Sequence, residues 1–384
     1  MSPKPRLLFF ENNPAYFLSH RLALAKAAEK MGFEVHVAAM PGQAVQAIET
    51  AGFVFHIMPL KRSGMNPFTE FRTLMRIRRL YCELRPDLVY QITGKPVIYG
   101  TLAARMAKIR YSVSVVSGLG YLAMQTGIRG RVLRYFIFGL YRFSLRHPSQ
   151  KVIFHNGDDR RLFVDKGILK AGDTVVIPGS GVDMDHFTPQ TETAGVPVVL
   201  FPARLLRDKG VNEFFAAATL LQSRGVRARF LLVGGTDPGN PSAISEAQVR
   251  QWNAEGNVEY LGHVADMRTI FAQCHVVCLP SYREGLPKAL IEAAACGRPV
   301  VTTDVPGCRD VVVNGETGLL VAPRDSTALA AALRRLIEDN DLRRRMGQAG
   351  RRYVETQFST GQIIIRTTAI LAALMESTGF QRGG

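Results

Sequence analysis

Ser281–Gly307 reads SYREGLPKALIEAAACGRPVVTTDVPG. The apolar run Val276–Leu279 ends at Pro280 just before it, and Pro287 stands where a helix starts. Ala289–Ala295 supply strong helix formers, and Gly297 stops the helix ahead of the β-rich run Val300–Thr302. A short apolar strand, a helix and a second short strand in succession form a crossover, which joins parallel strands. The helix start, with Gly285 ahead of it, offers unpaired backbone N–H groups, the usual cradle for a phosphate. Glu284 lies just before this helix and Glu292 inside it. Lys288 and Glu292 are four apart and share a face, so spacing alone also allows a surface ion pair worth about 0.2–0.5 kcal/mol. Ala293–Cys296 give that helix a surface suited to close packing more than to solvent.

The same rhythm extends in both directions. Leu7–Phe10, Val35–Ala39, Val54–Leu60, Leu88–Ile92, Val113–Val116, Val152–Phe154 and Val175–Ile177 alternate with helical-period stretches, and the pattern restarts at Val198–Phe201. Phe230–Val233, Val258–Leu261, Val276–Leu279, Val300–Thr302 and Leu319–Val321 continue it. The fold class is α/β, with two units in series. Gly179–Pro197, rich in Gly, Pro and Thr and without a sustained period, reads as the linker. Beyond the Arg-rich helix Leu329–Met346, Ile364, Ala369, Leu371 and Leu374 give Ile363–Met375 an apolar stripe.

At 384 residues and 42.4 kDa the chain is long enough for two domains. Its 47% hydrophobic and 21% charged content excludes a disordered or fibrous protein. The five cysteines form no CxxC pair, so neither zinc nor a disulfide framework is indicated, and a reducing cytoplasm fits. No run approaches the roughly 18 apolar residues of a spanning helix, and Met1–Arg6 lacks the order of a signal peptide. The net charge of +16 is concentrated: from Lys61 to Lys151, 17 Lys and Arg face only Glu70, Glu83 and Asp87. Such a surface suits nucleic acid, an anionic membrane or a phosphorylated substrate.

In PARLLRDKGV, Pro202–Val211, Arg204 and Lys209 stand in a loop leading into a helix, where two cations could neutralise a diphosphate or be solvated loop charges. Gly118, Gly120 and Ala123 match GxGxxA. They follow the fifth strand, however, and Tyr141 stands near where a dinucleotide site needs an acid, so a glycine loop at a cleft fits better. The eight histidines show no HxxxH or HxH pair, and no metal is expected.

Glu284, seven residues and Glu292 in EGLPKALIEAAACGRPVV resemble the EX7E element of the family-four retaining glycosyltransferases of the GT-B fold. The resemblance covers nearly the whole chain. It implies two Rossmann-like domains with parallel sheets facing across a cleft. Residues 1–190 would bind the acceptor, 191–355 the donor, and the C-terminal helix, 356–384, would return to the first domain. The backbone from Gly285 through Leu286 and Pro287 to Lys288 would mark the donor diphosphate region, Glu284 would bind the donor sugar and Glu292 the ribose. Arg204 and Lys209 match the family's diphosphate clamp, which with Glu284 makes up the expected catalytic set. Asp183, Met184 and Asp185 spell the DxD metal signature of the other glycosyltransferase fold. In GVDMDHF they match instead the GVD-plus-Phe hinge, so the reaction would be metal-independent and without a cofactor.

FLSHRLALA (Phe17–Ala25), ITGKPVIYG (Ile92–Gly100) and SGLGY (Ser117–Tyr121) are similar to a narrower group that acts on polyprenyl-diphosphate-linked sugars. Two departures stand out. ENNPAY, Glu11–Tyr16, replaces the usual glycine-rich loop, and no histidine follows Val113–Val116. His20 and Lys95, with Gly118 and Gly120, are the acceptor-side candidates, although each of the first two also reads as a helix-surface or strand-end residue. Lys61–Leu80 and Arg129–Arg146 interleave Arg with bulky apolar residues, as an interfacial helix does. Arg72, Arg76, Arg79, Arg131, Arg134 and Arg142 are therefore expected to face an anionic membrane. No nucleic-acid-binding module is visible. The expected protein is a cytoplasmic enzyme, peripheral on the inner face of the cytoplasmic membrane. It would move a sugar from a nucleotide-sugar, a UDP-sugar, to a lipid-diphosphate-linked saccharide. A GT-B sugar-nucleotide epimerase and a non-catalytic membrane-associated assembly protein are the alternatives.

Overall fold

The computed structural model describes residues 3–60, 66–120, 127–237 and 239–376. Lys61, Arg62, Tyr121 and Ala123, which figure in the motifs above, lie outside the described residues. Two compact units divide the chain: residues 1–180 with 361–384, and residues 181–360.

The first unit is built on β1 (Arg6–Phe10), β2 (Glu34–Ala39), β3 (Val54–Ile57), β4 (Leu88–Ile92), β5 (Tyr111–Val116), β6 (Gln150–Phe154) and β7 (Thr174–Val176). All pair in parallel, in the order β3-β2-β1-β4-β5-β6-β7. Its crossovers run through α1 (Pro14–His20), α2 (Leu22–Lys30), α3 (Val45–Thr50), α4 (Pro67–Leu84), α5 (Thr101–Met106), α6 (Gly127–Ser144) and α7 (Gly157–Asp165). Strands β4 and β5 are buried along their whole length, as expected where helices cover both faces of a parallel sheet. Helix α4 starts where Asn66 Oδ1 accepts the Phe68 amide at 3.0 Å, with Pro67 in the first turn, and it ends at Arg85 with φ 48°.

The second unit repeats the plan with β8 (Val198–Pro202), β9 (Arg229–Val233), β10 (Glu259–Gly262), β11 (Val276–Leu279), β12 (Val300–Thr303) and β13 (Gly318–Val321), ordered β10-β9-β8-β11-β12-β13. Helices α8 (Val211–Ser223), α9 (Glu246–Ala254), α10 (Met267–Gln273), α11 (Lys288–Ala295), α12 (Ser326–Glu338) and α13 (Asn340–Gln357) belong to it. Asp325 and Asp339 cap α12 and α13 through the amides of Ala328 and Leu342, both at 2.8 Å. Four cysteines, Cys274, Cys278, Cys296 and Cys308, are buried here as free thiols, whereas Cys82 on α4 is exposed.

Residues 181–190, expected in the first domain, pack with the second unit. Phe187 joins its core, and Val182 exchanges backbone hydrogen bonds of 2.9 Å with Phe358 and Thr360. Glu192 is fixed by Arg343 on α13 at 2.9 Å, so the presumed linker is held against its own unit by a buried ion pair.

Helix α14 (Thr360–Glu376) then returns to the first unit, where Ile363, Leu371 and Met375 join the core containing Leu7, Phe9, Phe17 and Val113. Its buried face is Ile363, Thr367, Leu371 and Met375, and not the expected stripe: Ala369 is exposed and Ile364 half-buried. Thr367 disguised the four-residue spacing. A threonine fits that face because its hydroxyl donates to the Ile363 carbonyl at 2.8 Å, leaving its methyl for the core. Because Leu371 is fully buried there, Leu371→Ala should lower stability by about 2–5 kcal/mol in denaturant titration. A change near zero would mean that the helix is not part of this core.

Candidate functional site

In a doubly wound sheet the strands next to the first one run outward in opposite directions, and the loops at that reversal open a crevice at the carboxyl edge. The second sheet reverses between β8 and β11. Arg204 and Lys209 follow β8, and Ser281–Pro287 follow β11. Sheet pairing therefore brings two sequence-distant motifs to one edge.

Their side chains meet there. Lys209 Nζ lies 2.5 Å from Glu284 Oε1, and Ser281 Oγ donates to the same oxygen at 2.7 Å. Tyr282 N donates to the Asp208 carbonyl at 2.9 Å, tying the two loops through the backbone. Close approach requires glycine at two places. Gly210, with φ 76°, leaves no space for a Cβ against the Pro280 carbonyl, and Gly307, with φ 83°, none against the Glu284 carbonyl. Arg204 does not join Lys209: its Nη1 pairs with Asp237 Oδ2 at 2.5 Å. The two cations expected to converge are each matched by their own carboxylate.

Helix α11 starts at Lys288 behind Pro287, a cap residue that makes no side-chain hydrogen bond to the first turn. Glu292 sits on it 3.5 Å from Lys288, so the four-residue pair forms. Its setting is not a solvated face, however. Burial raises the Glu292 carboxyl above its ordinary value, with the Lys288 charge opposing. A largely covered carboxylate on a helix can accept hydrogen bonds from ligand hydroxyls while the amides at the helix start donate to an anion. In the DMD sequence, Asp183 Oδ1 accepts the amides of Asp185 and His186, both at 3.0 Å, so this carboxylate shapes a turn.

The first sheet reverses between β1 and β4. Of the acceptor-side candidates, His20 stacks on Tyr16 with ring centroids 3.8 Å apart and shares a hydrogen bond with Ser19. Lys95 is paired with Glu70 on α4 at 2.6 Å. Both therefore have local structural partners. Gly118 and Gly120 take positive φ just after β5. Near this edge of the sheet stand buried polar residues that the sequence reading did not nominate. Glu11 ends β1, Arg21 separates α1 from α2, and His155 ends β6; their exposures are 1%, 3% and 6%. Burial pushes the Glu11 carboxyl up to about 8, against the pull of the Arg21 charge, and pushes His155 down to about 3. The available signal was ENNPAY, whose charged residue directly follows a buried strand.

Family models for "Glycosyl transferase 4-like" and "Glycosyl transferases group 1" match residues 6–156 and 185–353. A Campylobacter jejuni protein, N,N'-diacetylbacillosaminyl-diphospho-undecaprenol alpha-1,3-N-acetylgalactosaminyltransferase, is 30% identical over 351 residues, 88% of this chain and 91% of its own. The chain belongs to the group 1 glycosyltransferases. The capsular polysaccharide biosynthesis glycosyltransferase CapM of Staphylococcus aureus is 26% identical, over 87% of this chain and 88% of its own. In fold, this glycosyltransferase is similar to sucrose-phosphate synthase from Thermosynechococcus elongatus: TM-score 0.81, 22% identity, 98% of this chain and 100% of that one. Anabaena HepE in complex with UDP and glucose gives 0.78 at 20% identity, covering 96% and 100%. Its two parallel-sheet Rossmann-like domains are those of the GT-B fold.

The basic segments of the glycosyltransferase are helical. On α4 the rings of Phe68 and Phe71 stand exposed, the first by 77%, beside Arg72, Arg76, Arg78 and Arg79; on α6 Tyr135 is 86% exposed among Arg129, Arg131 and Arg134. Three of the expected membrane cations have local partners or are partly covered. Arg79 pairs with Glu83 at 2.7 Å. Arg142 donates to the Lys166 and Gly167 carbonyls at 3.0 and 3.1 Å, and so holds a loop. Arg134 is half-buried. Arg72 and Arg76 line a cavity of about 220 Å³ with Thr73, Glu70 and Lys95.

The Glu11 shift makes a stability statement. Between pH 4.5 and about 8 the folded chain keeps a proton on Glu11 that the unfolded chain releases, so stability falls as pH rises through that window. Glu11→Gln removes the effect. Its melting temperature should exceed the wild-type value, by more near pH 8 than near pH 5, in scanning calorimetry. An equal difference at both pH values would show that Glu11 is ionised in the fold.

Proposed function

We propose that this glycosyltransferase moves a sugar, with retained anomeric configuration, from a UDP-sugar to a lipid-diphosphate-linked saccharide at an anionic membrane surface. The observation that carries the reading is the Lys209–Glu284 pair beside the uncapped start of α11 at the β8/β11 reversal. A diphosphate is drawn there by one ammonium, one nearby guanidinium and a helix N-terminus. Lys209 has three donors and can keep Glu284 while reaching phosphate oxygens. Glu284, held by Lys209 and Ser281, is then a fixed acceptor for donor-sugar hydroxyls, and Glu292 for the ribose. As the bond from C1 to the diphosphate breaks and the acceptor oxygen bonds to C1 on the same face, Arg204, Lys209 and the α11 amides stabilise the growing charge. The departing oxygen takes the acceptor's proton. With these cations in place, no divalent ion has an assigned task.

The Campylobacter relative supports the acceptor class by its name, and HepE supports UDP by the ligand in its structure. The exposed rings and arginines of α4 and α6 support membrane docking, with each surface cation adding roughly 1 kcal/mol near anionic headgroups. The cationic cavity of Arg72 and Arg76 suits an acceptor diphosphate.

Lys209→Ala should lower kcat more than it weakens donor binding, since its charge matters most when the diphosphate departs. Unchanged turnover at saturating donor would remove Lys209 from the reaction. Glu292→Ala should weaken free UDP and UDP-sugar alike by about tenfold or more, whereas Glu284→Ala should spare free UDP. Activity should survive excess EDTA. In liposome flotation, Arg72, Arg76 and Arg131 changed together to Glu should abolish low-salt binding to anionic vesicles. Binding indifferent to lipid charge would place the acceptor encounter elsewhere.

A further inference from the structure

We propose that Tyr282 is a positioning residue for Lys209, fixing its ammonium against Glu284 at the place where a diphosphate would depart; the role given to Lys209 rests on the reading above. The sequence puts Tyr282 in SYREG, three residues past the end of β11 and two before Glu284. Because β8 and β11 are neighbours in the sheet, this loop lies beside the one that leaves β8. Tyr282 grips that second loop on both sides of Lys209. Its amide donates at 2.9 Å to the carbonyl of Asp208, the residue just before Lys209. Its phenol donates at 2.6 Å to Glu213 Oε1, in the first turn of α8 and four residues after Lys209. One residue thus spans the segment that carries the ammonium.

The surroundings of the ring make the grip firm. Arg324, between β13 and α12, lies over it with the guanidinium carbon 4.6 Å from the ring centroid, a cation–π contact from a third loop of the same edge. Arg324 holds a left-handed φ of 62°, a conformation that costs a residue with a Cβ and persists where the surroundings impose it. Burial, with the Glu213 contact adding to it, pushes the Tyr282 phenol up to about 12, so it remains a donor at neutral pH. Glu284 has anchors of its own. Its amide donates to the Pro306 carbonyl at 3.1 Å, and the Thr303 hydroxyl on β12 donates to the carbonyl of Ser281, whose side chain holds the Glu284 carboxyl. The close approach of Gly210 to Pro280 sets how near the two loops come, whereas the two hydrogen bonds of Tyr282 set their register. Register matters here because a lysine side chain is long and flexible, and a group displaced by about 1 Å can cost about a hundredfold in rate. With its phenol committed to Glu213 and its ring face to Arg324, Tyr282 acts through Lys209 and not on the reacting atoms.

The test is a double-mutant cycle on the full chain. Tyr282→Phe keeps the ring, its contact with Arg324 and the backbone bond to Asp208, and removes only the donor to Glu213. Turnover is followed as UDP release from UDP-glucose, UDP-galactose and their N-acetyl counterparts, with a short-chain prenyl-diphosphate N-acetylhexosamine as acceptor. Tyr282→Phe should lower kcat about tenfold while the donor KM moves by less than about threefold. In a Lys209→Ala background, with no ammonium left to position, the same change should alter kcat by less than about twofold. A merely structural role would not lose its effect with Lys209. Glu213→Leu should repeat the loss seen in Tyr282→Phe, and Glu213→Gln, which keeps an oxygen for the phenol, should lose less. Circular dichroism melts establish that each variant is folded at the assay temperature. Wild-type kcat in Tyr282→Phe, or losses from Tyr282→Phe and Lys209→Ala that multiply, overturn the brace and leave the proposed function standing. Wild-type kcat in Lys209→Ala overturns both. A wild type that uses none of these substrates defeats the proposed function, and the cycle is then read in UDP affinity by titration calorimetry. There, a Tyr282→Phe loss that vanishes in Lys209→Ala upholds the brace, whereas an additive loss, no loss, or no binding of UDP by the wild type overturns it.

Discussion

A parallel sheet cannot be closed by hairpins; every strand must be reached by a crossover, and every crossover leaves its loop at the same edge. In this chain that constraint operates twice. The sheets reverse at β1/β4 and at β8/β11, and in each case the reversal parts two neighbouring loops at a carboxyl edge. The polar chemistry of both units gathers at these gaps. Elsewhere the strands are lined with Val, Leu, Ile and Phe, whose burial carries the stability that the gaps draw down.

The two gaps handle charge differently. In the second unit both motif cations have a carboxylate within reach, Lys209 with Glu284 and Arg204 with Asp237, so their charges are locally balanced. On the proposed function, an incoming diphosphate would rearrange partners already in place, which would limit the desolvation that binding must overcome. In the first unit, Glu11 and Arg21 are too deeply enclosed for the same solution, and the carboxyl keeps its proton instead. Keeping that proton costs local stability as the pH rises.

What could be read from the sequence was what lies close together along it. Ser281–Gly307 names its own strand, loop and helix, and Arg204, Lys209, Glu284 and Glu292 each sit within a few residues of a strand end or on the helix that follows. Alternation of buried strands and helices gave the α/β class for the same reason. Partners distant in sequence were invisible: Asp237 is 33 residues from Arg204, and Glu70 is 25 from Lys95. The Glu11 cluster draws on α1, β1 and β6, which no spacing rule connects. On α14 a threonine in a helical core face hid its four-residue period, because a hydroxyl bonded within its own helix behaves as an apolar surface. Arg142 read as a membrane cation from composition, yet it holds a loop through carbonyls that carry no sequence signal.

The distribution of thiols has a practical consequence. Burial pushes Cys274 and Cys308 up to about 12 and Cys296 up to about 11, so at neutral pH they present neither charge nor access to an electrophile. Cys82 stands alone on the outside, near the end of α4 that carries Arg78 and Arg79. The native chain thus comes with one addressable sulfur on the basic, ring-studded helix. A polarity-sensitive dye or spin label attached there would report from α4 itself, with no cysteine to be removed first.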